Sequence, residues 1–256
     1  DSLRLEIIYC LGLTLRNVPA SRDRLGPLAA EGLNLASSSH DVARALHLAA
    51  EVERLEGRLD AAETTLQRAL EAMLEAEDIR AWCTLAFFHF DLLLRRGETQ
   101  TAKALMERVI ERSEELGSRR LLSVALINGA RLQRMMGAVD AATARLRRAL
   151  RITERAGLSH GIWARLDLAW CHLLRGRLDK AERSRERLRR EFEGSPSVMA
   201  NAVFRALDNA CQRLRRGDGQ ATERLEDALA DLKQVDPLLS RALRADCDRL
   251  FPRPGP

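Results

Sequence analysis

The chain has 256 residues, a net charge of +5, 46% apolar residues and 31% charged residues. This composition can form a hydrophobic core, and no apolar run reaches the ~18 residues that a membrane span needs. The five cysteines are far apart and form no CxxC pair, which argues against a zinc site and favours free thiols in a reducing compartment. We therefore expect a cytoplasmic protein with no metal, no other cofactor and no membrane partner.

A motif that begins with glycine recurs along the chain in steps of 39 to 41 residues. The motifs begin at Gly57, Gly97, Gly137, Gly176 and Gly217. A fixed period of this length is typical of stacked repeats. At each of these corners, glycine predicts a left-handed residue that ends one helix. The acidic or amide residue three places later is expected in the first turn of the next helix, where it faces unpaired N–H groups.

Taken in chain order, the corners and the helix-start residues between them predict six helix pairs. No proline lies between Pro27 and Pro196, so long uninterrupted helices are allowed there. The first pair is atypical, because Asn17 stands where the corner glycine is expected. The predicted repeats span residues 2–37, 38–77, 78–117, 118–157, 158–194 and 195–235. A capping helix over residues 236–250 is expected to shield the last open face, and a proline-rich tail follows over residues 251–256.

The Gly-x-x-Asp-Ala-Ala corner at Gly57 and Gly137, with Ala69 and Ala149 seven residues beyond its end, resembles the tetratricopeptide repeat (TPR). Units of about 40 residues, rather than 34, look like the superhelical sensor domain of MalT-like bacterial regulators. The resemblance implies an all-α fold: a right-handed α-solenoid of about six antiparallel helix pairs with a C-terminal capping helix. It also implies that the first helix of each pair lines a concave groove that binds a partner.

The groove positions of the repeat, carried over residue by residue, give nine candidate binding residues. They are His47, Glu51, Phe87, Asp91, Arg131, Arg134, Trp163, Leu166 and Trp170. Two interpretations stay open for the aromatic residues among them. They fill wide spaces between long helices, or they form the walls of a pocket whose polar groups are Asp91, Arg131 and Arg134. In the second case, we expect Phe87 and Trp170 to be partly accessible and Asp91 to interact with Arg131.

Motifs of catalysis and nucleotide binding are missing from the sequence: there is no GxxxxGK[ST] loop, GxGxxG turn, HExxH helix or GxSxG elbow. We therefore expect no enzyme. The predicted function is a binding or scaffold module of a larger bacterial signalling or transcription-regulatory protein. The start at Asp1 rather than Met suggests a segment of a longer chain, although a processed N-terminus would give the same start. Its expected partner is a protein, a peptide or a sibling domain of the same chain. The alternative is a sensor that binds a small effector.

Nucleic-acid binding through the C-terminal half is a further alternative, and it ranks last. Residues 118–256 carry 28 Lys/Arg against 17 Asp/Glu, whereas residues 1–117 carry 14 against 20. Glu–Arg pairs at helical spacing, as around residues 179–191, indicate a solvated face rather than a phosphate-binding stripe. Acidic residues interrupt most of the arginine runs, and no recognised nucleic-acid motif is present.

Overall fold

The computed structural model describes residues 2–15, 23–192, 198–216, 219–235 and 237–252. These residues form thirteen α-helices and no strand, which confirms the predicted all-α fold class. In chain order the helices are α1 (Ser2–Leu15), α2 (Leu25–Leu35), α3 (Ser39–Leu55), α4 (Leu59–Glu75), α5 (Ile79–Arg96), α6 (Thr99–Glu115), α7 (Arg119–Met135), α8 (Val139–Arg155), α9 (Gly161–Leu174), α10 (Leu178–Phe192), α11 (Val198–Arg216), α12 (Gly219–Val235) and α13 (Pro237–Leu250). Within these ranges, no helix has the length and apolar character needed to cross a membrane.

The helices belong to two compact units. Unit 1 covers Asp1–Ser118 and holds α1 to α6, and unit 2 covers Arg119–Pro256 and holds α7 to α13. Short turns join the helices of each pair, so that α3 packs against α4 and α7 against α8. Successive pairs also contact each other within a unit, as α4 does with α5 and α8 with α9. Each unit is therefore a stack of three helix pairs, and α13 is added to unit 2.

Glycine in the left-handed conformation ends the first helix of a pair. The φ angles are +81° at Gly57, +82° at Gly97, +83° at Gly137 and +65° at Gly176. At Gly97, the glycine N–H donates to the Leu94 carbonyl and the next N–H donates to the Leu93 carbonyl, so two open carbonyls at the helix end are satisfied. The corners predicted at Asn17 and Gly217 lie outside the described residues. Two further glycines, Gly117 after α6 and Gly157 after α8, are also left-handed. They follow second helices and are not part of the corner motif.

The acidic residues of the corner motifs connect neighbouring pairs. Asp60 and Asp140 lie in the first turns of α4 and α8, as the motif predicts. Each also forms an ion pair with an arginine at the end of the first helix of the following pair, Arg96 with Asp60 and Arg175 with Asp140. The carboxylates are largely exposed, so each pair contributes little to the free energy of unfolding. These pairs favour one register between neighbouring repeats.

Alanine occupies the positions at which the helices approach most closely. Four alanines, each five residues after a corner glycine, have no exposed surface: Ala62, Ala102, Ala142 and Ala181. A larger side chain at these positions would separate the helices, because protein interiors are packed about as densely as organic crystals. The small residue of the motif is therefore a packing residue.

Candidate functional site

The first helices of the three pairs in unit 1 bring one group of aromatic and basic side chains together. The Tyr9 hydroxyl of α1 lies 2.8 Å from Nδ1 of His47 on α3. The rings of His47 and Phe88, on α5, have centroids 4.2 Å apart. The Arg44 guanidinium lies over the Tyr9 ring, 5.6 Å from its centroid. We call Tyr9, Arg44, His47 and Phe88 the aromatic cluster.

The members of the aromatic cluster differ in exposure. His47 is completely buried, whereas Tyr9, Arg44 and Phe88 are half-buried. His47 therefore holds Tyr9 and Phe88 in place instead of contacting a partner itself. The neighbouring candidate Phe87 is half-buried, so its ring is partly accessible, as the groove interpretation expects.

Charged side chains lie one to two turns further along α3 and α5. The buried carboxylate of Glu51 accepts hydrogen bonds from Arg54, with Nε–Oε1 at 3.2 Å and Nη2–Oε2 at 2.8 Å. Burial alone would lower the pKa of Arg54, but the bonds and charge of Glu51, together with the charge of Asp91, raise it. Asp91 is half-buried, and its Oδ2 accepts from Nε of Arg95 at 2.7 Å. His47, Glu51 and Arg54 lie on one side of α3. The fixed charges are therefore on the same face as the aromatic cluster.

Two of the unit 2 candidates are also partly accessible. Trp163 on α9 is half-buried, and the Arg131 guanidinium of α7 lies 5.5 Å from its ring centroid. Arg131 Nε donates to Asp167 Oδ2 at 2.7 Å, which fixes the guanidinium beside the indole. The expected contact between Asp91 and Arg131 joins residues of different units and stays a prediction.

The other three candidates in unit 2 are core residues. Trp170 and Arg134 have no exposed surface, and Leu166 is 1% exposed. The expectation that Trp170 is accessible is therefore wrong. Its ring belongs to a hydrophobic cluster that includes Leu207 of α11 and Leu243 of α13, so these helices cover the side of α9 that the repeat pattern assigns to an open groove. A partner cannot touch these three side chains in this arrangement.

The helix α13 has a larger role than the cap predicted from sequence. It packs against α12 and also contacts α7 and α9. Arg134 Nη2 donates to Asp167 Oδ1 at 2.9 Å, and Arg134 Nη1 forms a second buried ion pair with Asp246 of α13. Arg249 joins the same network through Asp246 Oδ1 at 2.7 Å and the Arg134 carbonyl at 2.8 Å. Burial raises the pKa of Asp246, and the charges of Arg134 and Arg249 oppose that shift.

Sequence reasoning missed Tyr9, Phe88, Asp167 and Asp246. One signal was available for Asp167, which is an isolated acid in the apolar run of α9, since a buried charge needs a partner. The position of Asp246 had no such signal, because its partner lies 112 residues earlier in the chain. Tyr9 is in the atypical first repeat, to which the groove positions were not carried over.

A serine and a histidine come within hydrogen-bonding distance in unit 2, as a nucleophile and its base would. Ser123 Oγ lies 2.7 Å from His160 Nε2. However, Ser123 has no exposed surface, and its hydroxyl also donates to the Arg120 carbonyl at 3.0 Å. Burial and the charge of Arg120 lower the pKa of His160. This arrangement gives a substrate no access to the hydroxyl. Among the described residues, no cluster of His, Cys, Asp or Glu side chains could hold a metal ion.

Several solved structures resemble this chain. No protein-family model and no curated protein sequence matches it. A Rap protein complexed with Competence and Sporulation Factor is 19% identical, with a TM-score of 0.77 over 96% of this chain and 69% of that one. Aspartyl phosphate phosphatase F from Bacillus subtilis is 14% identical, with a TM-score of 0.72 over 97% and 69%.

A Signal Transduction ATPase with Numerous Domains (STAND) protein from Pyrococcus horikoshii, which has a tetratricopeptide repeat sensor, is also similar. It is 12% identical, with a TM-score of 0.69, and the match covers 94% of this chain but only 38% of that one. At such identities the likeness shows the fold alone. Together with the glycine corners and the paired helices, it shows that this chain is a TPR-like helical repeat array.

Proposed function

We propose that the chain is a non-catalytic binding module that holds a protein segment on the α1–α3–α5 face of unit 1. The observation that carries this proposal is the aromatic cluster, whose half-exposed rings lie beside charges fixed by ion pairs. Tyrosine and arginine are among the residues that dominate binding energy in protein interfaces. The segment is either a peptide or protein from another molecule or a sibling domain of the same chain.

The chemistry of this face indicates what the segment should carry. Tyr9, Phe87 and Phe88 offer apolar surface that an aliphatic or aromatic anchor would cover. Arg44 is only weakly tied to Glu6, with Nη2–Oε1 at 3.9 Å, so it is available for an acidic group. We therefore propose a segment with an apolar anchor next to an acidic residue.

A selection of peptides from a random library on the purified protein tests this proposal. For the enriched peptides, Phe87→Ala should weaken binding at least about tenfold, the effect of losing one well-packed anchor contact. Leu74→Ala is the matched control, because Leu74 is an exposed apolar residue on α4 of the same unit. Both variants should keep the helical circular dichroism signal. If both variants lose the same binding affinity, or if Phe87→Ala loses none, the peptides do not bind at this face.

A sensor role in a larger bacterial signalling or transcription-regulatory protein is the second candidate. The similarity to the STAND protein with a tetratricopeptide repeat sensor supports it, as does the partly accessible Trp163–Arg131 pair of unit 2, which a small effector could cover. In that case, a small effector should raise the melting temperature of the wild-type protein and have less effect on Trp163→Ala. An effector that stabilises both proteins equally would exclude this pair as the site.

Nucleic-acid binding has less support, because many arginines of unit 2 already have acidic partners. Arg165 pairs with Glu191 at 2.7 Å and Arg205 with Asp231 at 2.6 Å. Binding to duplex DNA at 0.15 M salt should therefore be no tighter than the non-specific range of about 10⁻⁴–10⁻⁶ M. Submicromolar, sequence-selective binding would place this function first.

A further inference from the structure

A cleft between α10 and α11 of unit 2 has a strongly basic lining. Its volume is about 290 Å³, close to the lower end of the range for small-molecule sites, about 300 Å³. The lining residues are Glu182, Arg185, Arg189, Gln212, Arg215 and Arg216. Four guanidinium groups thus share one cleft with a single carboxylate, and they come from two neighbouring repeats.

Carboxylates on the two sides of the cleft position three of these arginines. Asp208 Oδ1 lies 3.1 Å from Nη1 of Arg185 and 3.4 Å from Nη2 of Arg189. On the other side, Glu182 Oε2 lies 2.9 Å from Nη2 of Arg215. Glu186 and Asp179 approach two of the same groups less closely, at 3.9 Å from Arg189 Nη1 and from Arg215 Nη2. Each guanidinium has five donors, so these carboxylate contacts leave several N–H groups for a ligand.

Two donors in the cleft lack a partner in the described part of the chain. Nε of Arg185 is buried and makes no hydrogen bond there. Arg216 is exposed, and none of the described acidic side chains pairs with it. Because Nε of Arg185 has almost no accessible surface, Arg216 is the donor that a ligand in the cleft can reach directly.

We propose that this cleft binds a phosphate monoester group. Arginine presents planar, paired donors that match the oxygens of phosphate. A phosphate monoester carries close to two negative charges at pH 7 and three acceptor oxygens, so it can accept hydrogen bonds from more than one of these guanidinium groups at once. The group belongs either to a small phosphorylated molecule or to a phosphorylated side chain of a protein. This site is independent of the α1–α3–α5 face.

Isothermal titration calorimetry at pH 7.5 and constant ionic strength tests the proposal. The probes are inorganic phosphate, ribose 5-phosphate and a short phosphoserine peptide. We expect saturable 1:1 binding of all three. Tighter binding of the peptide would assign the group to a protein, and tighter binding of ribose 5-phosphate would assign it to a small molecule.

Three variants connect the binding to the cleft. Arg216→Gln should weaken binding roughly tenfold, because it removes one charged hydrogen-bond donor from an exposed position. Arg185→Lys keeps the charge but replaces the planar guanidinium and its paired donors with a single ammonium group, and it should weaken binding several-fold. Arg187→Gln is the control, since Arg187 lies on the same helix but does not line the cleft, and it should bind like the wild type.

The proposal is overturned by any of three results. The first is that none of the probes binds saturably. The second is that Arg216→Gln and Arg185→Lys both bind the probes as the wild type does. The third is that a single-stranded oligonucleotide without a terminal phosphate binds more tightly than every monoester and loses affinity in Arg216→Gln, which would indicate a nucleic-acid backbone site instead.

Discussion

Arg134 on α7 and Asp246 on α13 form an ion pair in which both side chains are only 1% exposed, although 112 residues separate them in the sequence. Asp167 of α9 holds the other side of the same guanidinium at 2.9 Å. The network therefore fixes the last helix of the chain to the first and third helices of unit 2. It also explains why the groove side of α9 is covered in this unit.

Breaking this pair should strongly destabilise the protein. Arg134→Met removes the guanidinium between two buried carboxylates, which keep only their contacts with Arg131 and Arg249. Removing one member of a buried pair costs about 3–5 kcal/mol. The free energy of unfolding from urea denaturation measures the effect. Asp140→Asn is the control, because it removes an exposed ion pair and should cost at most about 1 kcal/mol. Similar unfolding midpoints for the wild type and Arg134→Met would mean that the buried network does not form.

The corner glycine of α7 should not tolerate a β-branched residue. Gly137 has a φ of +83°, a conformation that valine adopts only with strain, so Gly137→Val should lower the free energy of unfolding by about 1–3 kcal/mol. Gly26→Ala is the control, because Gly26 is helical and a methyl group there would meet no atom within 4 Å. It should be neutral or stabilising by up to about 1 kcal/mol. Denaturant midpoints that coincide for Gly137→Val and the wild type would contradict the left-handed corner.

The cysteines should separate into one reactive thiol and four protected ones. Cys10 is exposed, whereas Cys83, Cys171, Cys211 and Cys247 are buried. Burial raises the pKa of Cys171 to about 11 and that of Cys211 to about 12, so these thiols have almost no thiolate at pH 8. Iodoacetamide followed by mass spectrometry should show one fast modification in the folded protein and five after unfolding.

The Cys10→Ser variant is the control for this experiment, and it should show no fast modification. A second thiol that reacts at the same rate in the folded wild type would mean that the helices around that thiol separate readily, because the buried thiols react only when the surrounding helices open.

Stability should decrease as the pH falls from 7.5 to 5.5. Burial lowers the pKa of His172, and the charges of Lys180 and Arg147 lower it further, so its folded pKa lies below the ordinary value of 6.5. As the pH is lowered, the unfolded chain therefore binds a proton before the folded chain does. The free energy of unfolding consequently decreases as the pH decreases. His160 acts in the same direction.

Urea denaturation at several pH values checks this dependence. His172→Asn removes one of these two histidines, so the free energy of unfolding should change less between pH 7.5 and 5.5 than in the wild type. An identical pH dependence in the variant would show that His172 is equally easy to protonate in both states.

Much of the fold could be predicted from local features of the sequence. A left-handed glycine, a first-turn acid and a small packing residue act within a few positions of one another, so their recurrence at Gly57, Gly97, Gly137 and Gly176 indicates helix pairs before any long-range contact is known. Fewer of the site residues could be predicted. The accessibility of Phe87 agreed with its groove position, but Trp170 did not follow the same rule.

The sequence alone determined the helical repeat, because the residues that recur with its period end, cap or pack helices within a few positions of themselves. The tertiary structure decided which first-helix faces stay open. Burial of a side chain depends on every helix that packs against it. Helix α13 contacts α7 and α9, and its Asp246 pairs with Arg134 of α7. Repeat periodicity contains no information about such a contact, because α13 lies outside the repeats. The aromatic cluster likewise depends on the packing of α1 against α3, which brings Tyr9 to His47 across 38 residues of sequence.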